Sequence, residues 1–417
     1  MNDKSCSAAG AVNEARLWQR MMDMAQYGAT SIGGVNRAAF SREDIEARKT
    51  LIAWAGEFGF DTATDAIGNL YIRRAGAEAD AAPVVTGSHL DSQPKGGKFD
   101  GAYGVVGGFE VLEAVERAGI ATRRPIEVVA WSNEEGGRFQ PGCMGSAIFA
   151  GDLTLDEALK ASDPEGISIV DALRQTLEST SDISRRDIPF PMAGYIEAHI
   201  EQGPRLENDG RTIGVVSGVQ GLTWYRVEVF GEEAHAGTAP LGGRKDALKS
   251  AVSMVRGLEE LMHDESDTVR FTIGRFECGP GAPSTVPSHV LFTVDFRHPD
   301  LSTFLDLGGK IREVCEANAR GCDVTVSRTI YSEPVVFDTS VGDLIRKCSQ
   351  ALDLPHMDMV SGAGHDAMHI AALCPSGMIF VPCEKGLSHN EAENATAADL
   401  AAGTQVLAAS LVDLADR

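Results

Sequence analysis

PVVTGSHLDSQPKGGKFDGAYGVVGGFEVLEAVERA, residues 83–118, carries the pattern from which the rest of the chain can be read. Its opening, Pro83-Val-Val-Thr-Gly87, is a short apolar run that reads as a strand. Its close, Gly104 to Ala118, reads as a helix. A further strand, Ile126-Glu-Val-Val-Ala-Trp131, follows. Short apolar strands alternating with helices predict an α/β fold with a mostly parallel central sheet. In open sheets of this kind, sites gather beyond the carboxyl ends of the strands. His89 and the pair Glu134 and Glu135 stand at such ends.

Upstream, the segment to about Phe60 reads as helical. Glu43 to Phe58 carries apolar positions at helical spacing, and Ser41 with Asp44 suits a helix start. Asn69-Leu-Tyr-Ile-Arg73 reads as a strand and Cys143 to Ala150 as a helix. The middle differs. From about Gly218 the order is strand (Thr223 to Phe230), helix (Arg244 to Met262), strand (Val269 to Phe276), strand (Val290 to Arg297), helix (Thr303 to Ala319) and strand (Asp323 to Thr329). That is an α+β unit large enough for its own core. The α/β pattern then resumes with a strand at Gly377 to Pro382 and a helix at Ala397 to Leu414. The expected organisation is a discontinuous domain, 1–217 and 330–417, with an insert at 218–329.

The chain has 417 residues, 37 Lys+Arg against 60 Asp+Glu, and a formal net charge of −23. So acidic a surface repels nucleic acid and anionic membranes, and both are set aside as partners. The first residues, MNDKSCSAAGAVNEARLW, lack the apolar core of a secretory signal. No apolar run reaches the roughly 18 residues of a membrane span. Eight cysteines, with no C-x-x-C pair, read as free buried thiols in a reducing cytoplasm.

Metal-type ligands concentrate in five islands: Thr86-Gly-Ser-His-Leu-Asp-Ser92, Gly97-Lys-Phe-Asp-Gly-Ala102, Trp131-Ser-Asn-Glu-Glu-Gly-Gly137, Glu197-Ala-His-Ile-Glu-Gln-Gly203 and Leu387-Ser-His-Asn-Glu391. A single histidine or aspartate after a strand is usually a cap or a satisfied polar group. Five such islands in one chain are hard to explain as packing. Imidazole and carboxylate suit Zn²⁺-like ions, and two ions about 3.5–4 Å apart can clamp the attacking and the polarised oxygen. A shared carboxylate is then required. Asp100, followed by a glycine, is the natural bridge. His89 and His199 complete one ion, Glu135 and His389 the other. Glu134 is left to move protons as general base and acid. Asp91 is placed to orient the His89 ring.

The stretches GSHLDSQPKGGKFDGAYGVVGG, WSNEEGGRFQPGCMGS, EAHIEQGPRLE, AHAGTAP, VDFRHPD, SGAGHDA and GLSHNE occur in that order along nearly the whole chain. With them the sequence resembles the hydantoinase/carbamoylase branch of the M20 metallopeptidase superfamily, which holds N-carbamoyl-L-amino acid hydrolases and allantoate amidohydrolases. The resemblance implies a di-metal catalytic domain and an inserted lid and dimerisation domain. It implies two divalent ions per subunit (Zn²⁺, or Mn²⁺, Co²⁺ or Ni²⁺) on His89, Asp100, Glu135, His199 and His389, with Glu134 as base. It places Gln202 on a ureido group, and His235, from the neighbouring subunit of a homodimer, on the oxyanion. Arg297 becomes the clamp for a substrate carboxylate, with Gly362, Ala363 and Gly364 as backbone donors beside it. His365 and Asp366 read as structural.

The implied reaction is hydrolysis of the carbamoyl C–N bond of an N-carbamoyl-L-amino acid to the amino acid, CO2 and ammonia. Allantoate or ureidoglycolate cleavage, or hydrolysis of another N-acyl amino acid, is the alternative. A scaffold without catalysis is a third reading, against which the complete ligand set stands. One stretch departs from the family. Members often carry Pro-Asn-x-x-Asn-Val-x-Pro-Gly where this chain reads Pro280-Gly-Ala-Pro-Ser-Thr-Val-Pro-Ser288, with neither Asn.

Overall fold

The computed structural model describes residues 1–417, which form two compact units: 1–218 with 336–417, and 219–335. The first is built on a ten-stranded sheet. At its centre lie four parallel neighbours in the order Ser376–Val381, Gly194–Ile200, Val84–His89 and Ile126–Trp131. Every residue of these four strands is buried. Strands buried on both faces need continuous apolar runs, which is how three of them read in the sequence. The fourth, Gly-Tyr-Ile-Glu-Ala-His-Ile, hides its strand signal behind Glu197 and His199. Flanking strands are antiparallel: Leu70–Arg74 on Ile126–Trp131, and Ile213–Val219 on Ser376–Val381.

Helix Ala102–Arg117 packs on this sheet beside the C-terminal helix Ala397–Ala415. Phe109, Val111, Leu407 and Leu411 lie in the common core. The C-terminal helix is long and apolar enough to cross a membrane by composition, but it is mostly buried inside the fold. Helix Arg42–Phe58 starts on Ser41, whose hydroxyl accepts from the Asp44 N–H, and ends on left-handed Gly59.

The second unit is an antiparallel five-stranded sheet with two helices, Ala247–Leu261 and Leu301–Ala317, packed on it. Its own core includes Val227, Val229, Phe292, Phe296, Met254 and Ile311. Two details differ from the sequence reading. The single strand expected at Val269 to Phe276 is two, Arg270–Thr272 and Phe276–Gly279, both on His289–His298. Gly274, which weakens a strand interior, lies in the break. The last strand runs to Ser332 instead of Thr329, because a register shift at Arg328/Ile330 leaves Thr329 unpaired and the ladder then continues. The boundary expected at 329 therefore falls inside a strand, and the unit extends to Val335. All eight cysteines are free, but Cys6 and Cys278 are exposed and Cys143 is half-buried, so the reading of all as buried thiols is corrected for those three.

Candidate metal centre

The four parallel strands end along one edge of the first unit, and the donor residues lie at or just past those ends. His89 is the last residue of its strand, in register with Trp131, the last of the next. Three and four residues beyond Trp131 come Glu134 and Glu135. His199 pairs with Phe380, one residue before both strands end. Gln202 follows, and the loop after Val381 carries Ser388 and His389. Asp100 precedes helix Ala102–Arg117. Asn133, Cys143, Gln202 and His389 all have φ between +48° and +57°, a costly conformation that clusters at functional sites.

Asp100 is shared. Its Oδ1 lies 3.2 Å from His199 Nε2 and 3.7 Å from His89 Nε2. Its Oδ2 lies 3.5 Å from His389 Nε2, and that nitrogen is 3.4 Å from Glu135 Oε2. His89–Asp100–His199 and Asp100–Glu135–His389 are thus two donor groups that could each hold a metal ion. A third, Glu197–His199–His365, shares His199. Glu134 Oε2 lies 3.3 Å from His89 Nε2. Between Asp100 and its helix, Gly101 has φ +62°, and a Cβ there would sit 2.3 Å from the His89 ring.

The donors are aimed by their neighbours. His89 Nδ1 donates to the Asp91 carbonyl and His199 Nδ1 to the Ile200 carbonyl, both at 2.8 Å, which turns each Nε2 toward Asp100. The Asp91 carboxylate, expected to hold the His89 ring, does something else: its two oxygens accept the backbone N–H groups of Glu134 and Glu135, each at 3.2 Å. Both Glu135 oxygens accept from Gln93. The Cys143 thiol donates to Glu134 Oε1 at 3.2 Å.

A metal fits this set on chemical grounds. Asp100 Oδ1 is buried between two imidazoles without a hydrogen-bond partner. Carboxylates crowd around it with little cationic compensation. Burial, then Asp366, Glu135 and Asp91, push Glu134 well above the usual carboxylate range. Burial and then Asp100 do the same to Glu135. Burial and then Asp44 lift Asp91 to about 7. Burial lowers His89 to about 4. At His199 burial also opposes the charge, but the Asp100 carboxylate outweighs it and lifts the imidazole to about 9. Buried charge of one sign calls for a paired ion or a metal.

The structure brings His89, Asp100, Glu134, Glu135, His199, His389 and Gln202 together in the first unit. Gly362, Ala363 and Gly364 follow strand His356–Ser361 in the same unit, and the Ala363 N–H donates to Ser361 Oγ at 3.1 Å. Next to them the His365 ring packs 4.6 Å from the His199 ring. His235 and Arg297 belong to the second unit. His235 is exposed, and its Nδ1 accepts the N–H groups of Gly237 and Thr238 at 3.0 and 3.2 Å. Arg297 forks onto Asp295, with Nε and Nη2 at 3.0 and 2.9 Å.

Sequence reasoning missed Glu393, which ties two distant loops together. Its Oε1 accepts the N–H groups of Phe99 (2.9 Å) and Asp100 (3.1 Å), and its Oε2, 3.1 Å from Ser388 Oγ, is an alternative acceptor to Asp100 Oδ2 for that hydroxyl's one proton. The available signal was its place four residues after His389, in an otherwise ordinary helix approach.

A parallel α/β sheet whose strand ends gather imidazoles and carboxylates around one shared aspartate defines a class of metal-site hydrolases. The chain belongs to Peptidase family M20/M25/M40, which residues 85–413 match. It is 37% identical over 410 residues to the N-carbamoyl-L-amino-acid amidohydrolase of Rhizobium meliloti, covering 97% of each chain. It is 33% identical over 412 residues to the allantoate amidohydrolase of Escherichia coli, covering 97% of this chain and 98% of that one. The solved structure of an amidase of the hydantoinase/carbamoylase family from Burkholderia multivorans matches with TM-score 0.92 and 42% identity, over 97% and 98% of the two chains. The chain is a hydrolase acting on linear amide C–N bonds. Its family and its donor groups point to divalent metal binding.

Proposed function

We propose that the chain hydrolyses the carbamoyl C–N bond of N-carbamoyl-L-amino acids, using two divalent ions. The observation that carries this is the sharing of Asp100 between two donor groups, with Glu134 beside them. His89, His199 and Asp100 would hold one ion; Glu135, His389 and Asp100 the other. When bound, the pair supplies Lewis acidity toward the carbonyl and an activated water. Glu134 Oε2 takes a proton from the attacking water and returns it to the departing nitrogen. Breaking that C–N bond releases the amino acid and carbamate, which decomposes to CO2 and ammonia.

The second unit supplies a lid and the surface of a homodimer in this reading. Because His235 Nδ1 accepts two backbone N–H groups, its proton resides on Nε2, which makes it a hydrogen-bond donor for an oxyanion. Arg297 exchanges Asp295 for the substrate carboxylate, with the 362–364 backbone beside it. The test is a panel of N-carbamoyl-L-amino acids and allantoate, run on chelator-stripped protein with Zn²⁺, Mn²⁺, Co²⁺ or Ni²⁺ restored. Activity confined to metal-restored protein and to N-carbamoyl-L-amino acids is expected. Preference for allantoate would select the alternative substrate. Full activity without metal would refute the reading.

A further inference from the structure

The two donor groups on Asp100 are unequally prepared. In the inner one, His89, Asp100 and His199 are all buried and His199 Nε2 accepts the Gly101 N–H at 3.1 Å, but Asp100 Oδ1 has no hydrogen-bond partner. In the outer one the oxygens are already engaged. Asp100 Oδ2 accepts from Gln202 Nε2 at 2.9 Å and from Ser388 Oγ at 2.7 Å. A carboxylate oxygen offers two lone pairs in its plane, so both are used. His389 completes this group from the surface, with 51% of its side chain exposed.

Gln202 has one orientation open to it. Asp100 only accepts, so the amide nitrogen must face it, and the carbonyl Oε1 points away. That Oε1 is buried and has no partner. A buried acceptor left unsatisfied is costly, and a donor group that reached it would bind well for that reason. The backbone holds Gln202 at φ +57°, so the placement is imposed by the fold against local preference.

We propose that Gln202 is an exchangeable occupant of the outer ion position. Its carboxamide stands on Asp100 Oδ2 and would be displaced by an ion bound there, which frees it for the ureido contact that the family resemblance implies. The inference rests on the two-ion reading above. Ser388 can keep its hydrogen bond by turning to Glu393 Oε2, 3.1 Å away. Gln202 Nε2 also lies 3.3 Å from Ser388 Oγ, so once its bond to Asp100 breaks the carboxamide keeps only that longer contact. Freed, the carboxamide can pair with a ureido group through complementary N–H and C=O groups. Outer-ion binding and substrate recognition are then coupled through one side chain, and such coupling is reciprocal.

Calorimetric titration of the stripped full-length protein with Mn²⁺ tests this, on wild type, Gln202→Asn and Gln202→Gly. Both replacements tolerate a left-handed backbone, and neither reaches Asp100 as Gln does. Wild type should bind two ions in unequal steps. Each variant should bind the weaker ion about tenfold more tightly, as removal of a competing charge-assisted hydrogen bond predicts, with the tighter step unchanged. KM for an N-carbamoyl-L-amino acid should rise. An unchanged or weakened second step in folded variants overturns the proposal and leaves the two-ion reading intact. Failure of wild type to bind two ions sinks that reading itself.

Discussion

Replacing Gly97 by alanine should loosen the Asp100 loop without touching any metal donor. A Cβ at residue 97 would lie 1.9 Å from the Glu393 carboxylate. The carboxylate would have to withdraw and give up the N–H groups of Phe99 and Asp100. Net contributions of hydrogen bonds to charged groups are about 1.5–3 kcal/mol each, so the ceiling is about 3–6 kcal/mol. Partial relaxation and water entry reduce that, and we expect about 2–3 kcal/mol. The Asp100 backbone would lose its anchor. Losing such support for a ligand typically weakens metal affinity about 10–100-fold.

Differential scanning calorimetry and Mn²⁺ titration read the two effects. The decisive variant is the double mutant with Glu393→Ala. If the methyl acts by evicting Glu393, it costs little once Glu393 is gone, and the double mutant should match Glu393→Ala alone within about 0.5 kcal/mol. Wild-type metal affinity in Gly97→Ala, or fully additive losses, would refute the reasoning.

Glu134→Gln should retain metal and fold yet lose at least about 10²–10⁴-fold in kcat; turnover within a few-fold of wild type would show that another base acts. Arg297→Lys keeps the charge but not the fork, so kcat/KM should fall for carboxylate substrates while carboxylate-free analogues are unaffected. Mixing inactive Glu134→Gln with inactive His235→Ala under subunit exchange should restore activity, since one site of each mixed dimer holds both residues; exchange without recovery would place His235 in its own chain's chemistry or outside it.

How much of this was legible beforehand depended on how local each signal is. The βαβ order is local: Val84 to Trp131 states it within a few dozen residues. His89, Glu134 and Glu135 drew notice for the opposite reason, as polar groups where an apolar strand should simply end. The strand Gly194–Ile200 was not read as one, because Glu197 and His199 replace two of its apolar positions while remaining buried. Asp91 shows a finer limit. Spacing brought it to His89, but only coordinates distinguish its carbonyl, which holds the ring, from its carboxylate, which caps Glu134 and Glu135. Glu393 reaches Asp100 across 293 positions of sequence, and no spacing rule spans that.

Charge was the least legible property. The total of −23 reads as a solvated surface, yet Asp91, Asp100, Glu197, Asp366 and Glu393 are buried around the donor groups. Composition counts them with the exposed acids, although their energetic sign is opposite. An exposed carboxylate costs the fold little. A buried one is tolerated only through donors such as the backbone N–H groups that Asp91 and Glu393 accept, or through a cation. The metal-free fold therefore carries repulsion at its centre. Any ion bound there stabilises the native state over the unfolded chain by mass action, in proportion to its affinity. On this argument the acids buried around the donor groups would also make the stability of the first unit depend on metal, while the second unit, with an apolar core of its own, should be far less sensitive.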